Sequence, residues 1–482
     1  MLLAAVFAAA AATSVNFPVS TVKPQAQAAI DRGLFLYYAY DREAAEAAFE
    51  QAAQSDPQLA MAYWGLALAD GPDLNTPLTQ ERFDQAKAAI AKAASLGAAL
   101  PARERRFVDA MALRYRGDFA RWDAADAAYV SAMTDFALAT HDENAELLAA
   151  EALLEHGGLA WRDGALESAE SQRALALVQG VLHDDPGSAM ANHLCIHLYD
   201  LAPDRSPALR CAQRLDATEF PPEAEHLAHM PAHYWIETGD YAAAVRSSER
   251  AVTLLTELTA AGPAGAAHAD QYAKHDVAVG YSAAMMLGDY ALARRWSDRM
   301  TAQFGASFEA LTALRFGRYQ AAYDAAADQF SDTALRGLAA LQLGDIAEAR
   351  RLANSVTPAA QHGYVPQIFL GRLADAEGKY AEAQSWLGKA AADQRAGLEG
   401  ELIPLLPALE VLGELRLRHG DFRGAAEAFQ ADLAAYPNDP RALFGLAQAL
   451  GALGDSSGAA AARTHFEQMW KGADTNVAGA LQ

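Results

Sequence analysis

Several things are scarce in this 482-residue chain, and each scarcity closes off a class of answer. No run of alternating Val, Ile and Thr appears, so there is no signal for half-buried strands. Lys and Arg never cluster, and the formal net charge is −23. A surface of that sign repels phosphate backbones, which excludes nucleic acid and anionic membrane as natural partners. The sequence has no GxSxG, P-loop, dinucleotide-binding fingerprint, HExxH or CxxC. The hydrolase, nucleotide, zincin and dithiol chemistries that those patterns announce are therefore unsupported.

Cysteine is the scarcest of all, with only Cys195 and Cys211. Pro203 lies between them in the helix-breaking stretch LAPDRSP. If the flanking segments form an antiparallel helical hairpin, the two thiols face each other at one height, and a disulfide is feasible in an oxidising compartment. The alternative is two buried, reduced thiols packing as small hydrophobes.

What the chain does have is apolar and helix-favouring. Hydrophobic residues make up 52%, ample for a core, and Ala, Leu, Glu, Arg and Gln dominate long stretches. The expectation is all-α throughout. The N-terminus reads MLLAAVFAAAAATSVNFPVS. Its apolar run over 2–13 is too short to span a bilayer and has an A-x-A-like end near Ala12, as the hydrophobic region and cleavage site of a secretory signal do, although the basic start is missing. Residues 1–20 are set apart as a signal or disordered segment, with export to the periplasm or beyond expected and a cytoplasmic location as the alternative.

A short theme repeats: Gly, a polar residue, Tyr/Phe/Ile, two residues, Ala. It appears as GDYAAA at 239, GDYALA at 288, GRYQAA at 317, GDIAEA at 344, GKYAEA at 378 and GDFRGA at 420. A second pattern, AAFEQAAQSDP ending at Pro57, has looser copies ending at Pro186 and Pro437. These are the turn and helix-B signatures of the tetratricopeptide (TPR) repeat, whose helical hairpins bury their apolar faces only by stacking. The glycines fall at irregular intervals, where a regular repeat advances about 34 residues. The architecture expected is a TPR-like α-solenoid, a right-handed superhelix of helical hairpins. Irregular, extended repeats would cover 21–303 and shorter repeats with a cap 304–482. The boundary falls near 303–306, and 70–80 and 156–166 are loops.

Histidine is concentrated where the repeats are least regular. EHLAHMPAHYWIE (225–237) carries His226, His229 and His233, with Pro231 between the last two. Repeat numbering from Gly239 puts these three and Glu237 within an arc of about 80° on the helix face that lines the groove of such arrays. The preceding helix, NHLCIHLYD, puts His193 and His197 on the same face, with Asp200 beyond. Each pair is i, i+4, the spacing at which two imidazoles on one helix share a metal. In this register His193 and His197 stand opposite His229 and His233. His226 lies about 10 Å from His233 along the axis, too far to join it on one ion. The next helix, QYAKHDVAVG, brings His275 level with His226. Glu151, on ELLAAEALL, faces the same groove. Pro231 would kink its helix and re-aim the flanking histidines.

Several of these phrases resemble a family of bacterial and fungal TPR-containing proteins. GLFLYYAYDREAAEAAFEQAAQSDPQLAMAYWGLALADGPDLN (33–75), HLCIHLYD, HLAHMPAHYWIETGDYAAA and YAKHDVAV match its motifs over roughly the first 300 residues. The resemblance carries the family's histidines onto His193, His197, His226, His229, His233 and His275, with Tyr272 beside them. It implies a shared polar site and supplies no reaction. Two positions depart from the pattern: Asp200 stands where Glu is usual, and Ala278 where the last histidine would be.

Two functions follow as expectations. In the first, His193, His197, His229 and His233 ligate a transition metal in the concave groove, with His226, His275, Asp200, Glu237, Tyr272 and Glu151 as further ligands or acid–base groups. All-imidazole ligation suits Cu, Zn or Fe, and open positions on the ion would serve chemistry on a small molecule or peptide. In the second, the groove is a scaffold that holds a peptide or protein partner, its histidines acting as hydrogen-bonding, pH-sensitive contacts. A metal-free hydrolase or isomerase using His as general base is a third.

Overall fold

A computed structural model describes residues 15–96, 100–162, 164–305, 307–326, 333–356, 363–397 and 406–475. Among these residues the chain is all-α except for one two-stranded antiparallel hairpin, Trp161–Arg162 with Ala165–Leu166, inside the expected 156–166 loop. No helix among them is long and apolar enough to cross a membrane. The chain divides into two compact units: 1–234 with 250–272, and 235–249 with 273–482. The boundary expected near 303–306 falls inside the second unit.

The first unit is a series of helical hairpins. Pro24–Tyr38 packs on Arg42–Ser55, Ala60–Ala69 on Gln80–Leu96, Ala102–Arg114 on Trp122–Thr140, and Glu143–Gly157 on Ala169–Asp184. Ala189–Asp200 then packs on Leu209–Asp216. Close approach of helices depends on missing side chains. A Cβ on Gly33 or Gly65 would lie 2.7 or 2.2 Å from the Phe49 ring, so the ring of one helix fills the gap left by a glycine on each neighbour. The second unit repeats the device at the same sequence spacing, with Phe429 against Gly413 and Gly445. This is the TPR-like packing that the sequence patterns lead one to expect.

Residues 15–20, set apart above with the N-terminal segment, belong to the fold as described here. Phe17 is fully buried, stacks on Trp64 with ring centroids 5.3 Å apart, and is capped by the Arg103 guanidinium. Ser20 hydrogen-bonds through both its N–H and its hydroxyl to the Glu104 carboxylate. Residues 1–14 lie outside the described residues.

The cysteines resolve the alternative left open by the sequence: Cys195 and Cys211 form a disulfide across the Ala189–Asp200 and Leu209–Asp216 helices. The LAPDRSP turn between them is braced by the Arg205 Nε–H, which donates to the Asp200 carbonyl at 2.9 Å.

In the second unit the Gly-polar theme makes the turns. Gly420 has φ 77°, a conformation that costs any residue with a Cβ, and the following Asp421 N–H reaches back to the Arg416 carbonyl at 2.9 Å. Asp421 then caps the next helix by accepting from the Gly424 N–H. Asp240, Asp289 and Asp345 cap in the same way. Gly288 is the exception among the theme glycines, since it lacks the left-handed φ. Its carbonyl instead accepts the N–H groups of Asp474 and Thr475. The end of this unit's chain thus returns to its beginning, and Tyr241 likewise donates its hydroxyl to the Pro437 carbonyl at 2.6 Å.

Candidate metal centre

The site forms where four segments of the first unit meet. The first is the Ala189–Asp200 helix, begun by Ser188, whose hydroxyl caps the Ala191 N–H. Its histidines at i and i+4 project together, and the Nε2 atoms of His193 and His197 are 3.0 Å apart.

The second segment is EHLAHMPAHYWIE, which breaks where Pro231 predicts. A helix over Glu225–His229 ends, and Pro231 opens a new one, Pro231–Thr238, at a position that needs no N–H donor. Either side of the break, His229 and His233 bring their Nε2 atoms to 2.9 Å. The expected opposition of the two i, i+4 pairs is corrected by about one turn. His193 meets His226, with Nε2 atoms 3.2 Å apart, so the residue expected at the edge of the site stands inside it. His193, His197 and His226 together offer three nitrogens within 4.8 Å of one another.

The third segment is the YYAY end of the Pro24–Tyr38 helix. Tyr40 stacks on His226 with centroids 5.2 Å apart and planes 11° apart, and meets the edge of His193 at 4.6 Å. Tyr37 donates its hydroxyl to the Glu151 carboxylate at 2.7 Å. Tyr38 donates to Asn144 Oδ1 at 3.0 Å. The fourth is the 70–80 loop, which sets Asn75 Nδ2 3.5 Å from His226 Nε2. Tyr272 closes the other side of His226, with centroids 5.0 Å apart.

These contacts bury the imidazoles. His193 and His229 are fully buried, His226 and His233 are 2% exposed, and His197 is 9% exposed. The sequence placed them on an open groove, and the structure corrects this. The TPR register identifies the face a residue occupies, whereas Tyr40, Asn75 and Tyr272 arrive from segments whose position only tertiary packing sets.

Burial governs the charge state. It pushes His193 down to about 3, with the Tyr38 backbone opposing and His233 adding to the shift. His226 is held well below the usual range by burial and then by its four histidine neighbours, His193 first. His233 is lowered by burial, with Asp200 pulling the other way. At neutral pH these rings are uncharged, with lone pairs available. Glu151 is held far above the carboxylate range by burial and then by Glu155, with Tyr37 opposing, so it is a neutral acid.

The donor geometry suits a cation. Nε2 separations of 3.0 and 3.2 Å lie between those of two nitrogens each about 2.0–2.1 Å from one ion, roughly 2.9 Å at a right angle and 3.3 Å in a tetrahedron. His193 Nε2 faces two other Nε2 atoms with one in-plane site, which a single proton serves poorly. An ion accepting all three lone pairs serves it well.

Of the remaining sequence candidates, Asp200 ends the His193 helix and is half-buried. Glu237 and His275 are half-buried in the second unit. Three residues of the first-unit site were missed in the sequence: Tyr40, Asn75 and the fully buried Glu225. Tyr40 had a readable signal. YDREAA has the form of the GDYAAA turn with tyrosine in the place of glycine.

No family model and no curated protein matches the chain. Solved structures similar to it include the following three. The Cut9–Hcn1 hetero-tetramer of the APC/C has 14% identity and a TM-score of 0.31 over 95% of this chain and 97% of that one. Yeast Tom70 has 11% and 0.28, over 92% of each chain. The human IFIT1 dimer with m7Gppp-AAAA has 11% and 0.32, over 94% of this chain and 90% of that one. Similarity at this level carries no argument about function.

Proposed function

We propose that the first unit binds a transition metal ion through His193, His197 and His226, with His229 and His233 supplying further ligands. The observation that carries this reading is the meeting of three buried imidazoles through their Nε2 atoms at 3.0 and 3.2 Å. The all-nitrogen donor set favours Zn, Cu or Fe over Mg or Ca. When bound, the ion would supply Lewis acidity or, if Cu or Fe, electron transfer.

The chain's own residues would hold and shield that ion. Tyr40, Tyr272 and Asn75 enclose His226, and the neutral Glu151 is anchored by Tyr37. Asp200, at the end of the His193 helix, is proposed as an outer group that orients the rings or moves protons. The reading includes export, which suits the Cys195–Cys211 disulfide. The alternative, in which a bound peptide touches these histidines, requires exposed rings, and these are buried.

The test is elemental analysis of the protein as isolated and after reconstitution, with His193→Ala/His226→Ala and His229→Ala/His233→Ala beside wild type. About one ion per chain in wild type and none in the His193/His226 variant is expected. Absence of metal from wild type under both conditions would overturn the reading.

A further inference from the structure

We propose that Tyr40 is a positioning residue for the metal ligands: its ring is the plate against which His193 and His226, from two different helices, are set. The inference rests on the metal-binding reading above and names a residue that reading does not require.

Two independent observations lead to it. The first is conformational. Tyr40 has φ 60°, in the left-handed region. Of the other described non-glycine residues with positive φ, His141 and Asn438 are types that enter that region readily, whereas a bulky aromatic does so under strain. The turn is otherwise of the repeat's standard kind. The Tyr40 N–H reaches the Tyr37 carbonyl at 2.9 Å, the Asp41 N–H reaches the Leu36 carbonyl at 3.1 Å, and Asp41 caps the next helix through the Ala44 N–H. Equivalent turns elsewhere use glycine, as at Gly239, Gly317, Gly344, Gly378 and Gly420. The backbone asks for glycine here and tyrosine is present.

The second observation is what the ring does. It lies parallel to His226 at 5.2 Å and edge-on to His193 at 4.6 Å, and it is 1% exposed. The two imidazoles it touches are the ones whose Nε2 atoms meet across the helices at 3.2 Å. Tyr272 and Asn75 bound His226 alone and His197 bounds His193, whereas Tyr40 gives a stacked face to one ring and an edge contact to the other and so sets the two against each other. Pre-orientation of this kind is what groups outside the ligand shell supply to a metal site. The Tyr40 hydroxyl has no part in the claim.

The test uses the full chain stripped of metal and titrated with Co(II), reading affinity by chelator competition and geometry from the visible ligand-field spectrum. Circular dichroism checks the fold. Tyr40→Phe, which keeps the ring, should match wild type within about twofold, and Tyr40→Leu should bind about 10- to 100-fold more weakly with a shifted spectrum. Tyr40→Gly removes ring and backbone strain together and should lose affinity likewise, so it decides the question if the leucine variant does not fold. Wild-type affinity and spectrum in Tyr40→Leu or Tyr40→Gly would overturn the proposal. So would a loss in Tyr40→Phe as large as in Tyr40→Leu. Failure of wild type to bind Co(II) would instead sink the metal reading on which it rests.

Discussion

Each unit buries a cluster of polar side chains, and the two clusters are built on opposite terms. In the first unit His193, His197 and His226 turn their Nε2 atoms toward one another. In the second unit Arg315 donates twice to the Glu410 carboxylate, at 2.8 and 2.7 Å, and lies 3.8 Å from Asp439. Arg441 donates to the Met285 and Arg315 carbonyls at 3.3 and 2.9 Å. Both clusters are buried. One brings opposite charges together with directed hydrogen bonds, which is how a buried ionic network is tolerated as part of a core. The other brings like groups together, with lone pairs converging. Converging nitrogen donors are the arrangement that a cation would complete. The contrast separates a charge-matched network from a convergence of nitrogen donors on chemistry alone.

The sharpest way to break this comparison is to remove one partner from each cluster. Arg315→Ala leaves Glu410 and Asp439 buried without their guanidinium and should cost about 3–5 kcal/mol in denaturant unfolding. It should leave the metal content unchanged. His193→Ala with His226→Ala should abolish metal binding while leaving the Arg315–Glu410 network of the second unit in place. If Arg315→Ala also strips the metal, the two clusters are not independent.

The disulfide gives a second test. It ties the helix carrying His193 and His197 to its neighbour, beside the hydrogen bond from Arg214 to Asn192. Cys195→Ala with Cys211→Ala should lower stability by about 3 kcal/mol, as expected for closure of a loop of about 15 residues. Hydrogen exchange should increase first in the 189–216 segment. Unchanged exchange there would mean that packing alone holds the helix.

pH offers the mildest test, and the two clusters should respond with opposite sign. His193 is pushed down to about 3. The unfolded chain therefore binds its proton more readily, and the metal-free first unit should lose up to about 1.4 kcal/mol per pH unit per such histidine as pH falls below about 6.5. Glu410 is pushed up to about 7, by burial first and despite Arg315. Its contribution is full below about 4.5 and is lost as pH rises through about 7. Hydrogen exchange of chelated protein between pH 4.5 and 8 should show the amides around His193 loosening on acidification and those around Glu410 loosening on alkalinisation. The same pH trend at both places would refute the assignment.

Much of this was legible in the sequence, for identifiable reasons. Helix content, the Gly-Asp turns and the small-residue contacts are local, repeating consequences of backbone geometry, so GDFRGA announces its own turn and cap. The i, i+4 histidine pairs are equally local: His193 with His197 survived intact, and His229 with His233 survived a proline break that the sequence also marked. The pairing between helices was not legible at the level of one turn. It depends on how the kinked Glu225–His229 segment is staggered against Ala189–Asp200, and no residue in either segment encodes that stagger.

The amino-acid sequence alone determined that this chain is a helical-repeat protein with histidines gathered on adjoining helix faces, because periodicity and turn chemistry act within a few residues of each other. Tertiary packing decided that His226 joins His193, that the rings are buried, and that Tyr40 occupies a glycine's position to touch them. Those outcomes depend on contacts between segments 33 residues apart for His193 with His226, and more than a hundred apart for Tyr40 with either, whose side chains determine one another's surroundings only once the hairpins have stacked.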